Sequence, residues 1–138
     1  MRKLALDIGT VRIGIASSDP MGIIASGYET YVRSGNIEKD MTYIAELAEN
    51  KGCDTIVLGL PLNMDGSEGD KVKEIKEFAE VLKNYTAIKI DFQDERWSTV
   101  SAEKMLIESS VRREKRKKVI DKVAATIILQ TYLDKINR

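Results

Sequence analysis

Three carboxylates stand at positions from which folding could bring them together. Asp7 ends an apolar N-terminal segment that is predicted to be a strand, and Glu95 directly follows a second segment of the same kind. Asp121 lies in the predicted first turn of a C-terminal helix that spans residues 119–135. Carboxylate oxygens are the ligands that Mg²⁺ or Mn²⁺ prefers, and these ions support phosphodiester hydrolysis. The three acids therefore predict a metal-dependent site for phosphoryl chemistry.

Each acid also has an ordinary structural interpretation when it is taken alone. Asp7 could accept hydrogen bonds in the turn that follows it, although an acid on a buried strand is costly without a partner or a metal ion. Glu95 could form an ion pair with a nearby arginine, and Asp121 could be stabilised by the positive end of its helix. The metal site is favoured because all three acids are predicted at the same edge of one sheet.

The sequence contains no histidine and a single cysteine, Cys53. These counts exclude Ser-His-Asp triads, Cys-His dyads and zinc sites that use histidine. Hydrolysis would have to use carboxylates, lysine, a hydroxyl group or a bound metal ion. A lone cysteine cannot form an internal disulfide, and Asp7 comes too early for a signal peptide, so a cytoplasmic protein is predicted.

Cations are concentrated in one segment, although the chain as a whole has 22 basic and 22 acidic residues. The segment 112–118 is predicted to connect the last two helices, and its basic residues are Arg112, Arg113, Lys115, Arg116, Lys117 and Lys118. A basic patch beside an acidic site suits a nucleic acid that is held next to metal ions. A solvated connecting loop is the alternative interpretation.

Four further residues are candidates for contacting the substrate: Thr10, Arg12, Asn63 and Arg96. The two arginines could bind phosphate, or they could form ion pairs that orient the acids. Thr10 lies in a glycine turn that could approach a phosphate through backbone amides. Asn63 belongs to a polar, glycine-rich loop at 61–69 that could line the site.

The apolar pattern predicts the element order βββ-α-β-α-β-α-α. Strands are predicted at 3–8, 12–17, 23–32, 54–59 and 87–92, and helices at 37–50, 70–83, 99–109 and 119–135. This order favours an α/β fold with a mixed sheet and helices on its faces, in which ligands bind at the carboxyl ends of parallel strands. The 138 residues suit a single domain, and no apolar run is long enough to span a bilayer.

Four segments, at 7–16, 57–66, 94–99 and 121–130, together resemble the YqgF/RuvX family of Holliday junction resolvases or precursor 16S ribosomal RNA nucleases. The resemblance implies an RNase H-like fold, with a five-stranded mixed sheet of order 3-2-1-4-5 in which strand 2 is antiparallel. It also implies that Asp7, Glu95 and Asp121 are the catalytic, metal-binding acids, and that Mg²⁺ or Mn²⁺ is the cofactor. One departure from the wider resolvase superfamily is that the fourth strand ends in Gly59 and Leu60 instead of an acid.

We therefore expect a metal-dependent nuclease that acts on structured nucleic acid, as a monomer or a homodimer without a membrane partner. Precursor 16S ribosomal RNA is favoured as the substrate. One alternative is a resolvase that cuts DNA four-way junctions, and another is a non-catalytic nucleic-acid-binding or ribosome-assembly factor. A sugar-kinase-type ATPase would share the loop at 7–10, but it would need two such domains.

Overall fold

The computed structural model describes residues 1–96 and 113–138, and the side chains of residues 1–96 and 120–138. Three consecutive strands come first: β1 (Arg2–Ile8), β2 (Arg12–Ser18) and β3 (Ala25–Val32). They are followed by α1 (Ile37–Asn50), β4 (Cys53–Leu60), α2 (Asp70–Leu82), β5 (Lys89–Asp94) and α3 (Arg113–Ile136). The predicted helix at 99–109 lies outside the described residues.

The five strands form one mixed sheet in the order β3-β2-β1-β4-β5. β2 runs antiparallel to both of its neighbours, whereas β1, β4 and β5 are parallel. This confirms the predicted RNase H-like strand order. Because parallel strands end at the same edge, the ends of β1, β4 and β5 lie together, and both Asp7 and Glu95 are at this edge.

Alternating side chains on β1 are buried on opposite faces of the sheet. Leu4, Leu6 and Ile8 belong to a large apolar cluster that includes residues of α1 and α2. Ala5 belongs to a second cluster, which is formed with residues of α3 on the other face. Asp7 shares the α3 face with Ala5 because side chains alternate along a strand. The sequence pattern therefore places this acid under the helix that carries Asp121.

The ends of α1 are set by two local signals that the sequence contains. The side chain of Asn36 accepts a hydrogen bond from the backbone N–H of Lys39 at 3.1 Å, which satisfies a helix-start donor. Gly52 follows the helix with a φ of +69°, a left-handed conformation that glycine adopts without steric cost. Both signals agree with the predicted boundaries of this helix.

The start of α3 differs from the prediction. The described part of the helix already includes Arg113, so residues 113–118 are helical and do not form a connection. Asp121 consequently lies about two turns inside the helix and not in its first turn, which weakens the helix-dipole interpretation of this acid. The segment folds as a helix because arginine, lysine and glutamate are good helix formers. In the described part of the chain, no helix is both long and apolar enough to cross a membrane.

Candidate active site

Asp7 has glycines near it on both neighbouring strands of the sheet. Its partner on β2 is Gly14, and Gly59 on β4 directly follows Leu58, the partner of Leu6. A Cβ atom at Gly14 would lie 2.0 Å from the backbone oxygen of Asp121, and one at Gly59 would lie 2.8 Å from the Glu95 carboxyl group. The two glycines therefore leave the space on either side of Asp7 that the other two acids approach.

Glu95 is fixed to the sheet immediately after β5. Its backbone N–H donates a hydrogen bond to the carbonyl oxygen of Leu60 at 3.0 Å, and the residue is only 8% exposed. Its side chain is hydrogen-bonded to that of Asp7. Burial, together with the nearby charge of Asp7, raises the pKa of Glu95 to about 9. Burial also raises the pKa of Asp7. The two acids therefore hold a proton between them near neutral pH.

Asp121 reaches the site because α3 packs closely against β2 at Gly14. The Arg12 Nε atom donates a hydrogen bond to Asp121 Oδ2 at 3.0 Å, and this ion pair joins residues 109 positions apart. The Asp121 side chain remains 24% exposed. The contact agrees with the interpretation of Arg12 as a residue that orients an acid, and it leaves open whether Arg12 also contacts substrate.

The three acids line one surface cavity of about 300 Å³, together with Gly9, Pro61, Leu62, Lys71 and Arg96. Within residues 1–96 and 120–138, no three acidic, histidine or cysteine side chains are close enough to enclose a metal ion. The donor set nevertheless suits a hard divalent cation, because two carboxylates are already in contact and a third lines the same cavity. Asp121 would have to turn from Arg12 to join them.

Lys71 is a cavity residue that the sequence interpretation missed. It is the second residue of α2, and its ammonium group lies 3.3 Å from the Thr10 hydroxyl. Burial raises the pKa of Asp7 and Glu95, and the positive charge of Lys71 acts in the opposite direction on both. In the sequence this residue is one of several lysines on a charged helix, so only the fold distinguishes it.

The glycine-rich loop at 61–69 is held mainly by its own polar groups. The Asn63 amide donates to Ser67 Oγ at 2.9 Å, and Ser67 Oγ donates to Asp65 at 2.6 Å. A salt bridge of 2.8 Å between Glu68 and Lys76 joins the loop to α2. Asn63 therefore stabilises the loop in this structure, and its contact with substrate stays a prediction.

Arg96 lines the cavity of the three acids, whereas Thr10 is not part of that lining. Arg96 contacts Asp94 through two nitrogens at 2.9 and 2.8 Å and donates to the Met64 carbonyl oxygen, so its charge is largely compensated. The backbone N–H of Gly9, beside Thr10, donates to the Arg12 carbonyl oxygen at 2.8 Å and is not free for a phosphate. The hydroxyl of Thr10 remains exposed beside Lys71.

The basic segment can be placed only by its backbone. Arg112 lies outside the described residues, as do the side chains of Arg113, Lys115, Arg116, Lys117 and Lys118. The backbone of 113–118 forms the first turns of α3, directly before the part of the helix that carries Asp121. Contacts between these cations and a substrate stay a prediction.

Comparison with solved structures identifies the fold of the chain. The chain resembles RuvC from T. thermophilus in complex with a Holliday junction substrate, with a TM-score of 0.59 and 9% sequence identity, over 99% of this chain and 96% of that one. A second T. thermophilus RuvC structure gives a TM-score of 0.57 at 10% identity, covering 99% of this chain and 97% of that one. The protein therefore has the RNase H-like fold of RuvC, with its acids at the carboxyl edge of the sheet.

Sequence comparison identifies the family within that fold. Residues 1–135 match the family described as "RuvX: Holliday junction resolvase", and the chain belongs to this family. A relative from Syntrophomonas wolfei is 50% identical over 134 residues, which cover 97% of this chain and 94% of the relative. One from Halalkalibacterium halodurans is 50% identical over 136 residues, which cover 98% and 97%. Both carry the name "Putative pre-16S rRNA nuclease".

Proposed function

We propose that the protein is a metal-dependent nuclease that hydrolyses phosphodiester bonds of structured RNA, with precursor 16S ribosomal RNA as its substrate. The observation that carries the proposal is the single cavity lined by Asp7, Glu95 and Asp121, in a chain without histidine. Family membership and the names of the relatives support the nuclease activity and favour this substrate. Such a substrate would place the protein in the cytoplasm.

The three carboxylates would hold Mg²⁺ or Mn²⁺. A bound ion of this kind lowers the pKa of water to give a nucleophile at neutral pH and stabilises charge on the phosphate. Asp7 would supply a ligand from the central strand of the sheet, and Glu95 would supply one from a backbone that is hydrogen-bonded to β4. Glu95 must lose its proton before both carboxylates can act as ligands, which links metal binding to proton release. Arg12 holds Asp121 at the cavity, and this carboxylate would have to turn inward to reach the same ion.

The cavity is a suitable place for phosphodiester cleavage because its acids and its cations have separate positions. Glu95 is buried and Asp7 is half-buried, whereas Lys71 is exposed and Arg96 is half-buried. A polyanion could thus approach cationic side chains while its scissile phosphate reaches the acids. Resolution of four-way DNA junctions is the second candidate, and it is favoured by the family description and by the fold shared with RuvC.

Cleavage of two labelled substrates tests the proposal. The protein is incubated with an RNA that spans the end of precursor 16S ribosomal RNA and with a four-way DNA junction, in Mg²⁺, Mn²⁺ or excess EDTA. Asp7→Asn should lose most of its activity and keep or raise its melting temperature, because burial and the nearby charge of Asp121 disfavour an ionised carboxylate at this position. Asp134→Asn is the matched control, since Asp134 is exposed on α3 and outside the cavity.

Four outcomes separate the candidates. Cleavage of the RNA that depends on metal and on Asp7 supports the proposal. Faster cleavage of the junction than of the RNA would assign the resolvase activity instead. Undiminished cleavage in EDTA would reject the metal-dependent mechanism. Binding of RNA without cleavage in either metal would indicate a non-catalytic factor.

A further inference from the structure

Lys71 lines both the acidic cavity and a second cavity that adjoins it at the Gly9–Thr10 turn. The second cavity has a volume of about 280 Å³, and its lining includes Thr10, Arg33 and Phe78. Ile8, Gly9 and Lys71 line both cavities. A chain of nucleotides that leaves the acids along this path must therefore pass the Lys71 ammonium group.

The charge of Lys71 is only weakly compensated by its neighbours in the described part of the chain. Its ion pair with Glu74 has an N–O distance of 3.9 Å, and both side chains are exposed, at 44% and 67%. Its remaining polar contact is the neutral hydroxyl of Thr10 at 3.3 Å. Arg12 and Arg96, by contrast, bind carboxylates at 3.0 and 2.8 Å. Lys71 is thus the cavity cation whose charge is most available to an incoming anion.

The second cavity also suits a nucleic-acid strand. Arg33 donates a hydrogen bond to the Gly9 carbonyl oxygen at 2.9 Å, and its guanidinium carbon lies 5.7 Å from the centre of the Phe78 ring. These contacts hold the guanidinium group in place in the lining of the second cavity, which does not include Asp7, Glu95 or Asp121. The lining also includes the carboxylate of Glu74, and Arg33 forms a 3.9 Å ion pair with Asp40. Lys71 and the Thr10 hydroxyl are therefore the groups of this lining that best fit a phosphate and its sugar.

We propose that Lys71 binds the phosphate next to the scissile one, and that the substrate strand continues over Thr10 into the cavity beside Arg33. This inference rests on the proposed nuclease function. It adds the direction in which the substrate strand leaves the acids, and it names the residue that binds the phosphate next to the scissile one. Lys71 is a binding residue in this proposal, because the acids carry out the chemistry.

Binding of a labelled RNA that spans the end of precursor 16S ribosomal RNA tests the role of Lys71. All variants are made in the Asp7→Asn background, so that affinity can be measured in Mg²⁺ without cleavage. Lys71→Met removes the charge, and Lys71→Arg keeps it. Lys73→Met is the matched control, because Lys73 is an exposed lysine on the same helix that lines neither cavity. Thermal unfolding of each variant checks that the fold is kept.

We expect Lys71→Met to weaken RNA binding by about 5- to 10-fold, since it removes a charge-assisted contact at a partly exposed position. The slope of log affinity against log salt should fall in magnitude by about 0.7 to 0.9, as for the loss of one phosphate contact. Lys71→Arg and Lys73→Met should each stay within about twofold of the background protein.

Modified RNAs locate the phosphate that Lys71 contacts. In each RNA of the set, one phosphodiester is replaced by a neutral methylphosphonate linkage. One linkage next to the cleaved bond should weaken binding to the background protein by about 5- to 10-fold, but the same linkage should change binding to Lys71→Met by less than about twofold. Equal losses for the two proteins at every linkage, or equal affinities of Lys71→Met and Lys73→Met, would overturn the proposal.

Failure of this proposal can be told apart from failure of the proposed function. If the unmodified protein cleaves the RNA while Lys71→Met binds it like Lys73→Met, only the role of Lys71 is rejected. If the unmodified protein neither binds nor cleaves the RNA, both proposals are rejected.

Discussion

A single methyl group at Gly14 should be enough to displace the third acid from the site. The Cβ atom of Gly14→Ala would lie 2.0 Å from the backbone oxygen of Asp121 and 3.0 Å from its Cβ atom. Ordinary contacts between such atoms are about 3.5 Å, so α3 would have to retreat by roughly 1 Å or more. The conflict involves the backbone of the helix, so no change of side-chain rotamer can relieve it.

The cost can be estimated from what α3 covers. Its retreat would loosen the apolar contacts of Ala125, Ile128 and Leu129 with the sheet. Overpacking of this kind typically costs about 1–3 kcal/mol, and a displacement near 1 Å at an active site can reduce the rate by about 100-fold. We therefore expect Gly14→Ala to lower the free energy of unfolding by about 2–3 kcal/mol and single-turnover RNA cleavage by about 100-fold.

Urea denaturation and single-turnover cleavage measure the two effects separately. Gly69→Ala is the control, because the nearest atom to its added Cβ would be 3.5 Å away and its φ is −98°. This control should cost less than about 1 kcal/mol, as expected for a small change at a helix N-cap. Gly14→Ala with a stability within about 0.5 kcal/mol of the parent and normal cleavage would refute the argument that Gly14 positions Asp121.

Two further predictions concern protons and salt. The pKa of Glu95 in the folded protein is about 9, above its ordinary value of 4.5. Between these two pH values the folded protein keeps a proton that the unfolded chain releases, so the free energy of unfolding falls as the pH rises. In chelator, the free energy of unfolding of Glu95→Gln should therefore be higher than that of the parent by about 1–3 kcal/mol at pH 8, and by much less at pH 5. Urea titrations at the two pH values measure this difference, and a difference that does not depend on pH would contradict the prediction. Replacing Lys115, Arg116 and Lys117 with glutamine should reduce the slope of log RNA affinity against log salt by about 2 in magnitude. Single-turnover cleavage at saturating RNA should stay within a few-fold of the parent. An unchanged slope would mean that these cations do not contact phosphate.

The sequence was sufficient to predict the strands of the sheet and the position of Asp7 and Glu95 at one of its edges. Alternation along β1 placed Asp7 opposite Leu6 and Ile8, and the end of β5 placed Glu95 at the same edge. The start of α3 was predicted wrongly because residues 113–118 contain no apolar residue, so the periodicity that reveals a helix begins only at Val119. Helix propensity, in contrast to periodicity, favours the longer helix.

The parts of the site that were missed depend on contacts between distant segments. Nothing local separates Lys71 from Lys73, because both are exposed lysines near the start of α2. The close approach of α3 could have been suspected, since a glycine inside a strand often marks a place where another backbone comes near. Gly14 and Gly59 are such glycines, but the sequence does not say which segment approaches them.

The ion pair between Arg12 and Asp121 has a consequence for the protein during its synthesis. Ribosomes deliver the chain from its N-terminus, so Arg12 on β2 emerges 109 residues before Asp121 on the helix that completes the cavity. Until α3 is made, the nascent chain has two of the three acids and an uncovered apolar surface at Ala5, Ala16 and Val57. A ribosome-bound or truncated product that ends before α3 is therefore both incomplete as a site and prone to aggregate. The same dependence would keep an unfinished chain from cutting RNA beside the ribosome that is making it.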